Sequence, residues 1–438
     1  MKVSVQGLAA ELQLVLGETA ERAARQAGWL VRMRKLSGAG FVQALVLGWL
    51  ADPGAKLDDL AALLNVAPQS LHERLNAKAV ACLQRVLRAA LGTLMAGRAE
   101  TIPLLRRFTE VCIEDTTSIP LPASLGDTYP GCGGSYPDAG KAGLKFLVQL
   151  EAITGRIRLI EPAAATTSDH TFQEQLPQLP TGALRLVDLG FFDIDRMQEE
   201  QKQGTFWISR IPARMKIREI GNKHGCNISE WLKGIKTDQV DRQVRIGFKG
   251  ALTCRIVAIR TPKEIVEKRL ERLEKKARKQ GRKVSEAQRL MCRWTILITN
   301  LTDEARFKPA DLWVLYRLRW QVELMFKRWK SEGGLARSRG RIGNRVLCEF
   351  LAKLIAVIIK HWASLLRGGP LNTASSTRMG SRVRWWTGRL QTALAQQDPL
   401  QAIAVLTRLK SDLDHLPKRP RRNRPTTRQT LYAPRIAA

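Results

Sequence analysis

The feature of this sequence that most constrains its fold is a series of short β-rich runs between residues 108 and 300. Gly, Pro and Asn residues separate the runs, as they commonly do between strands. The runs are residues 108–117, 143–153, 155–162, 184–188, 204–212 and 293–300. Helical apolar periodicity precedes and follows them, so the sequence predicts an α/β fold in which helices flank a mixed sheet.

A block of different character, residues 213–291, interrupts this series. It contains a hairpin pattern, with runs 244–248 and 252–260 linked near Gly250, and then a highly charged helical pattern over 264–283. That helix lacks a broad apolar stripe, so solvent or a polyanion must cover most of its surface. We interpret the block as a β-rich insertion domain.

The two ends of the chain have helical patterns. Residues 1–105 predict an all-α domain, in which residues 57–76 resemble a helix-turn-helix with Pro68 at the first position of the second helix. In a helix-turn-helix that binds DNA, the side chains facing a groove or the backbone would be Gln69, Ser70, His72, Glu73 and Arg74. An ordinary helical hairpin is the alternative. Residues 341–416 predict a helical C-terminal region, and the Pro-containing basic tail, 417–438, predicts a segment that is disordered until it binds.

The formal net charge is +32 and the isoelectric point is near 10.5. Such an excess of cations attracts polyanions, including nucleic acids, without specifying a fold. The seven Cys residues form no C-x-x-C pair, which favours reduced thiols over a disulfide framework or a zinc site. The N-terminus is a poor signal peptide, and Lys353 and Lys360 interrupt the most apolar later segment. We therefore expect a cytoplasmic, nucleoid-associated protein with no membrane role.

Residues 311–331, DLWVLYRLRWQVELMFKRWKS, contain neither Gly nor Pro and follow a helical period. At about 100° per residue, four polar side chains fall within an arc of about 60°: Tyr316, Arg319, Glu323 and Lys330. Their apolar neighbours form an adjoining stripe. The pattern places one carboxylate between two cations at the margin of a core, although salt-bridged amphipathic helices of no special function are also common.

Two further acids stand out because each follows a β-rich run. Asp115 and Asp188 are expected where their strands leave the sheet, and Glu323 follows on the later helix. Taken alone, a strand-end Asp is usually structural or caps a helix.

Together these residues resemble the DDE transposases of insertion sequences. The Tyr316, Arg319, Glu323 and Lys330 spacing is the signature of one branch of that family. IEDTT, DLGFF and YRLRWQVELMFKRWK look like its first, second and third acid motifs, and the similarity covers roughly residues 108–335.

The resemblance implies a ribonuclease H-like catalytic core made of residues 106–212 and 292–340, interrupted by the insertion. It implies that Asp115, Asp188 and Glu323 are catalytic and bind two divalent ions, Mg²⁺ or Mn²⁺. Such hard cations prefer oxygen ligands, and a pair of them can assist both attack and departure of phosphate oxygens.

The resemblance also implies residues that contact DNA. Tyr316, Arg319 and Lys330 would contact phosphates at the ends of the element. Trp294 is similar to an aromatic residue that stacks on a flipped base in relatives that form a hairpin. Because Trp294 borders an apolar run, a core tryptophan is the alternative.

The function predicted from these features is cut-and-paste DNA transposition. The partners are double-stranded DNA, as terminal inverted repeats and as target, and a second copy of the chain, because synapsis joins two ends. A ribonuclease H-like nuclease without strand transfer and a domesticated DNA-binding protein are the alternatives.

Overall fold

The structure, a computed structural model, describes residues 2–32, 36–99, 101–133, 140–159, 162–247, 250–338, 340, 342–369, 371, 374–417 and 425–434. The chain divides into two compact units. Unit 1 contains residues 1–100, 116–172 and 321–422, and unit 2 contains residues 101–115, 173–320 and 423–438.

Strands and helices are both abundant, which confirms the predicted α/β class. The strands are β1 Val111–Leu121, β2 Ala142–Glu151, β3 Ile157–Leu159, β4 Ala163–Ala164, β5 Leu184–Val187, β6 Phe206–Ser209, β7 Lys216–Glu219, β8 Cys226–Asn227, β9 Gln239–Ile246, β10 Leu252–Arg260 and β11 Trp294–Thr299. The helices up to the middle of the chain are α1 Val5–Gln13, α2 Ala20–Gln26, α3 Gly38–Ala51, α4 Leu57–Leu63, α5 Pro68–Arg74, α6 Ala77–Gly92, α7 Asp169–Gln173 and α8 Ile194–Lys202. The later helices are α9 Ile228–Lys233, α10 Lys263–Lys279, α11 Glu286–Cys292, α12 Pro309–Arg317, α13 Trp320–Ser331, α14 Gly343–Leu365, α15 Ser376–Ala395, α16 Pro399–Asp414 and α17 Thr427–Tyr432.

Unit 2 is built on a large mixed sheet. The first part of β1 is parallel to β5, and β5 is parallel to β6. Strand β11 then pairs antiparallel with β6, and β10, β9, β7 and β8 continue the sheet. The predicted hairpin of the insertion is confirmed as β9 and β10, which pair antiparallel.

The insertion extends this sheet, because β10 pairs with β11 along its C-terminal half, from Arg255 to Arg260. Apolar side chains of the insertion and of strands β6 and β11 form one core, which includes Trp207, Ile256 and Trp294. Fully buried Arg255, which alternates with Ile256 along β10 and so lies on the other face of the sheet, donates to both carboxylate oxygens of Asp241, at 2.7 and 2.6 Å. The sequence gives no sign that the strands of the predicted insertion continue the sheet of β6 and β11.

Unit 1 is mainly helical. Strand β2 lies beside the second part of β1 and pairs antiparallel with β3, as the predicted hairpin requires, and with β4. Helix α14 is buried along most of its length and packs against α3, α6 and α15, while α1 packs against α16. The sequence predicts separate N-terminal and C-terminal helical regions, whereas in the structure helices of both regions share the core of unit 1.

The helix pair expected within 57–76 is present as α4 and α5. Asn65 ends the first helix with a positive φ of 52°, which makes the tight turn between them. The side chain of Arg74 lies over the ring of Trp29, and the ring of His72 is 3.4 Å from a guanidinium nitrogen of Arg345. His72 and Arg74 therefore have partners elsewhere in the unit, whereas Gln69 and Glu73 are exposed and bond to each other, with the Gln69 amide donating to the Glu73 carboxylate at 3.1 Å.

Two predictions of local structure are corrected. The helix predicted over 311–331 is two helices, α12 and α13. Within the tail expected to be disordered, residues 427–432 form α17, which Thr426 and Gln429 cap reciprocally. Residues 418–424 and 435–438 of that tail lie outside the described residues. No helix among the described residues is long and apolar enough to cross a membrane.

Candidate active site

Asp115 and Asp188 lie on neighbouring parallel strands of unit 2. The register between β1 and β5 pairs Glu114 with Val187, so the next residue on each strand is an aspartate. Residues paired across a sheet point to the same face, and neighbouring strands are about 4.8 Å apart. The register therefore brings two carboxylates to one face, where the two strands stop pairing.

The predicted position of Asp115 needs one correction. Strand β1 continues to Leu121, so Asp115 lies within the strand and not at its end. The parallel pairing with β5 stops at Glu114, and the rest of β1 lies beside β2. Asp115 thus marks the end of the pairing with β5. Asp188, as predicted, follows β5 directly.

Both carboxylates have cationic or hydroxyl partners in unit 2. A guanidinium nitrogen of Arg319 is 3.4 Å from Asp115, and both side chains are largely buried. The phenol of Tyr316 donates to Asp188 at 3.4 Å, and Arg210 approaches the same carboxylate at 3.8 Å. The Asp188 side chain remains 38% exposed and makes no cap hydrogen bond to the short helix that follows it. The capping role that is usual for such an Asp is absent at this position in the structure.

The Tyr316 phenol is kept protonated by its surroundings. Burial raises its pKa above the ordinary value, and the negative charge of Asp188 raises it further. The Arg319 guanidinium opposes this shift and lies 5.9 Å from the centre of the Tyr316 ring. Tyr316 is therefore a hydrogen-bond donor at neutral pH.

Arg210 is a member of this site that sequence reasoning missed. It follows β6, and its side chain is 53% exposed beside Asp188. Its position directly after the third parallel strand of unit 2 could have identified it as a residue of this site, because the carboxyl ends of parallel strands meet at one edge of a sheet.

The predicted polar stripe does not lie on one continuous helix. Between α12 and α13, the amides of Leu318 and Arg319 donate to the carbonyls three residues earlier, Leu315 and Tyr316. This tighter turn interrupts the 100° progression, so Tyr316 and Glu323 belong to different helices. Neither Gly nor Pro marks the break, and the sequence pattern carries no signal for it.

Glu323 and Lys330 lie on α13, within unit 1. Both side chains are partly exposed, while Val322, Phe326 and Trp329 on the same helix are buried. Burial lowers the pKa of the Lys330 ammonium from its ordinary value. Phe326 and Trp329 pack against Phe146 of β2, which holds α13 on the strands of unit 1.

Trp294 lies in the core of unit 2. Its side chain is only 3% exposed, and the guanidinium of Arg260 lies over its ring at 4.6 Å from the centre. Base stacking by Trp294 would require this ring to leave both the core and Arg260. These surroundings are the ones expected for a tryptophan of the hydrophobic core.

A buried ion network fixes the strands that bear the two aspartates. Arg185 of β5 donates to Glu114 of β1 at 2.7 Å, and both side chains are fully buried. The same guanidinium also contacts Glu200 and Gln173. Burial alone would lower the pKa of Arg185, but Glu114 and Glu200 outweigh that effect and raise it. Glu114 alternates with Asp115 along β1, so this network lies on the opposite face of the sheet.

The donor set of unit 2 suits a hard divalent cation. Asp115 and Asp188 supply carboxylate oxygens, the ligand type that Mg²⁺ and Mn²⁺ prefer. Nearby Arg210 and Arg319 would balance the charge of the carboxylates or of a phosphate. Among the residues that the structure describes, no three His, Cys, Asp or Glu side chains are grouped closely enough to hold a metal ion.

Comparison with known proteins places the chain in a family. A sequence model of the family described as Transposase DDE domain matches residues 106–359, more than half of the chain. The chain is 28% identical to the transposase for insertion sequence element IS231F of Bacillus thuringiensis subsp. israelensis over 379 residues, covering 80% of this chain and 78% of that protein.

Two other relatives agree. The transposase for IS231E of Bacillus thuringiensis subsp. finitimus is 26% identical, over 82% of this chain and 80% of its own length. The transposase for IS1151 of Clostridium perfringens is 25% identical, over 58% of this chain and 56% of its own length. The chain therefore belongs to the insertion-sequence DDE transposases, a family of metal-dependent enzymes that cleave DNA and transfer its strands.

Proposed function

We propose that this transposase moves its element by a cut-and-paste reaction on a ribonuclease H-like core. It binds the terminal inverted repeats, cleaves the element ends and transfers their 3′-hydroxyls to target DNA. The observation that carries the proposal is the β1–β5 register, which leads into Asp115 and Asp188 on neighbouring parallel strands. Strand β5 is also the fourth strand of the chain when two-residue β4 is set aside, as the ribonuclease H-like pattern requires.

The metal ligands in this proposal are Asp115, Asp188 and Glu323. Divalent ions bound there would supply activation of a water or 3′-hydroxyl and stabilisation of the leaving oxygen. Tyr316 keeps its proton and donates to Asp188, which orients that carboxylate. Arg319 holds Asp115 in the same way.

Arg319 and Lys330 are also our candidates for contacts to end phosphates, together with the Tyr316 hydroxyl. A guanidinium can serve a carboxylate and a phosphate at once because it has five N–H donors. We assign Trp294 to the core of unit 2 on the strength of its burial and of Arg260 over its ring. A homodimer would bring the two ends of the element together.

The test is a Mg²⁺-dependent cleavage and joining assay on DNA that carries the native element ends. Glu323→Gln keeps the size of the side chain and removes its charge, so cleavage should fall to background while end binding stays within about two-fold. Glu304→Gln, at an exposed position of unit 2, is the matched control and should cleave normally. Full cleavage by Glu323→Gln would remove Glu323 from the metal site.

A further inference from the structure

Helix α15 has an exposed stripe that the proposed reaction does not use. At about 100° and 1.5 Å per residue, four side chains fall within an arc of about 60° and extend over about 16 Å: Arg378, Arg382, Trp385 and Arg389. All four are exposed, and Trp385 is 55% exposed. We call these four residues the α15 stripe.

The buried face of α15, next to this stripe, already has a structural role. Met379, Val383 and Leu390 are buried there, and α15 packs against α3 and α16. The indole N–H of Trp386 donates to the Asp412 carboxylate of α16 at 2.7 Å, which fixes the rotation of the helix. The α15 stripe is therefore held outward by a core that does not depend on it.

Along the sequence, the charged residues of α15 and its flanking segments are all basic. The sequence contains no Asp or Glu from Phe350 to Gln397. Within the described part of the chain, no acidic side chain pairs with the guanidinium of Arg378 or Arg382. The guanidinium of Arg389 lies over the rings of Trp385 and Trp386, at 4.4 and 5.1 Å from their centres. Trp385 thus holds the third arginine in place by a cation–π contact.

We propose that the α15 stripe binds the phosphate backbone of duplex DNA, as a contact separate from the aspartate site. This inference rests on the proposed function, which makes DNA the substrate. Arginine binds phosphate through paired N–H donors, and DNA presents successive phosphates about 3.4 Å apart along the axis of each strand. A stripe of about 16 Å spans about five such steps.

A second copy of the chain fits this surface poorly. In a two-fold symmetric contact the stripe would meet itself, and three arginines of each copy would face one another without acids to balance them. Like charges placed opposite one another oppose association. Backbone phosphates match the stripe in charge, and they contact it without regard to base sequence.

The test uses the full-length protein and a short duplex of arbitrary sequence, with affinity measured over a range of salt concentrations. The stripe variant is Arg378→Gln, Arg382→Gln and Arg389→Gln combined. Its matched control, Arg22→Gln, Arg32→Gln and Arg98→Gln combined, removes the same charge from exposed positions of unit 1. Each lost phosphate contact lowers the slope of log affinity against log salt by about 0.9. We expect the slope to fall by about 2 to 3 in the stripe variant and by less than about 1 in the control.

Equal slopes in the stripe variant and the control would overturn the inference while leaving the proposed function standing. A stripe variant that changes sedimentation but not the salt slope would assign the surface to self-association and would also overturn it. If the unaltered protein bound no duplex, the proposed function itself would fail. Thermal unfolding of the stripe variant and of the control verifies that both are folded. A further variant, Trp385→Phe, should keep most of the affinity for the duplex, because phenylalanine also offers Arg389 a ring face.

Discussion

The two aspartates of unit 2 differ in how accessible they are. Asp115 is mostly buried with Arg319, whereas Asp188 is 38% exposed and is approached by Tyr316 and by half-exposed Arg210. A cation that enters this site must therefore compete with Arg210 for Asp188. That competition makes Arg210 a test of the site that does not require DNA.

Replacing Arg210 by Gln should strengthen the binding of Mn²⁺ in the absence of DNA. Removing a nearby positive charge makes Asp188 more attractive to a cation, and an ion pair this exposed is worth roughly 0.2–1 kcal/mol. We expect the dissociation constant measured by calorimetric titration to fall by about two-fold to five-fold. Arg214→Gln, on an exposed neighbour, should leave it unchanged. Weaker binding in the Arg210 variant would show that Arg210 supports the site.

Tyr316 predicts a dependence of stability on alkaline pH. The unfolded phenol titrates near pH 10, whereas burial raises the pKa of the folded one above its ordinary value. The stability that depends on this proton is complete below about pH 10 and is lost as the pH rises toward the folded pKa. Between about pH 9 and pH 11, the unfolding free energy should fall by about 1 kcal/mol more in the unaltered protein than in Tyr316→Phe.

Urea unfolding of both proteins at the two pH values measures this difference. Tyr432→Phe, which removes a hydroxyl from a half-exposed ring of α17, is the control. Identical losses in the unaltered protein and in Tyr316→Phe would mean that the phenol is not shielded from solvent in the folded state.

At the scale of elements, the register between β1 and β5 determines the geometry of the site. A slip by one residue would turn either aspartate to the opposite face of the sheet. The Arg185 to Glu114 pair joins these two strands from the opposite face, with both side chains fully buried. The network therefore stabilises the register of β1 and β5 that brings Asp115 and Asp188 to one face.

Arg185→Met should destabilise the protein by about 3–5 kcal/mol, because Glu114 would keep a buried charge without its partner. Chemical denaturation measures the loss. Arg242→Met is the matched control in unit 2, since its pair with Glu219 is half-exposed, and it should cost about 1 kcal/mol or less. Adding Glu114→Leu to Arg185→Met should recover much of the stability. A loss no greater than that of the control would mean that the pair does not hold β1 to β5.

The elements also show how far sequence reasoning reaches. The β-rich runs separated by turn residues identified β1, β2, β3, β5, β6, β9, β10 and β11, and the motif residues led to Asp115 and Asp188. The break between α12 and α13 could not be predicted, because it depends on backbone hydrogen bonds of Leu318 and Arg319 in a run free of Gly and Pro. The ion pair between Arg185 and Glu114 could not be predicted either, since sequence spacing does not reveal which strands pair.

At the scale of the whole molecule, the chain is not a string of independent domains. Residues 1–100 and 321–422 belong to one unit, in which α3 packs against α14 and α15. Sequence patterns reveal helices but not which helices share a core, because that depends on contacts between distant residues. The sequence suggests that residues 1–105 form a separate domain that contains a helix-turn-helix. In the structure, the helices of residues 1–100 instead share a core with those of residues 321–422.

Deleting residues 1–100 should therefore unfold unit 1 and not merely weaken recognition of the element ends. The deletion would expose apolar residues on α14, including Leu347, Phe350 and Leu351, which line one cavity with Leu87 of α6. Apolar area returned to water costs about 25 cal/mol per Å², and a contiguous patch of this kind promotes aggregation. We expect the shortened protein to be insoluble or to lose cooperative unfolding, as measured by sedimentation and thermal denaturation. Gln69→Ala combined with Glu73→Ala, at exposed positions of α5, should leave folding intact and so provides the cleaner test of DNA recognition by the helix pair. A soluble, cooperatively folded chain lacking residues 1–100 would show that the N-terminal helices are a separable domain after all.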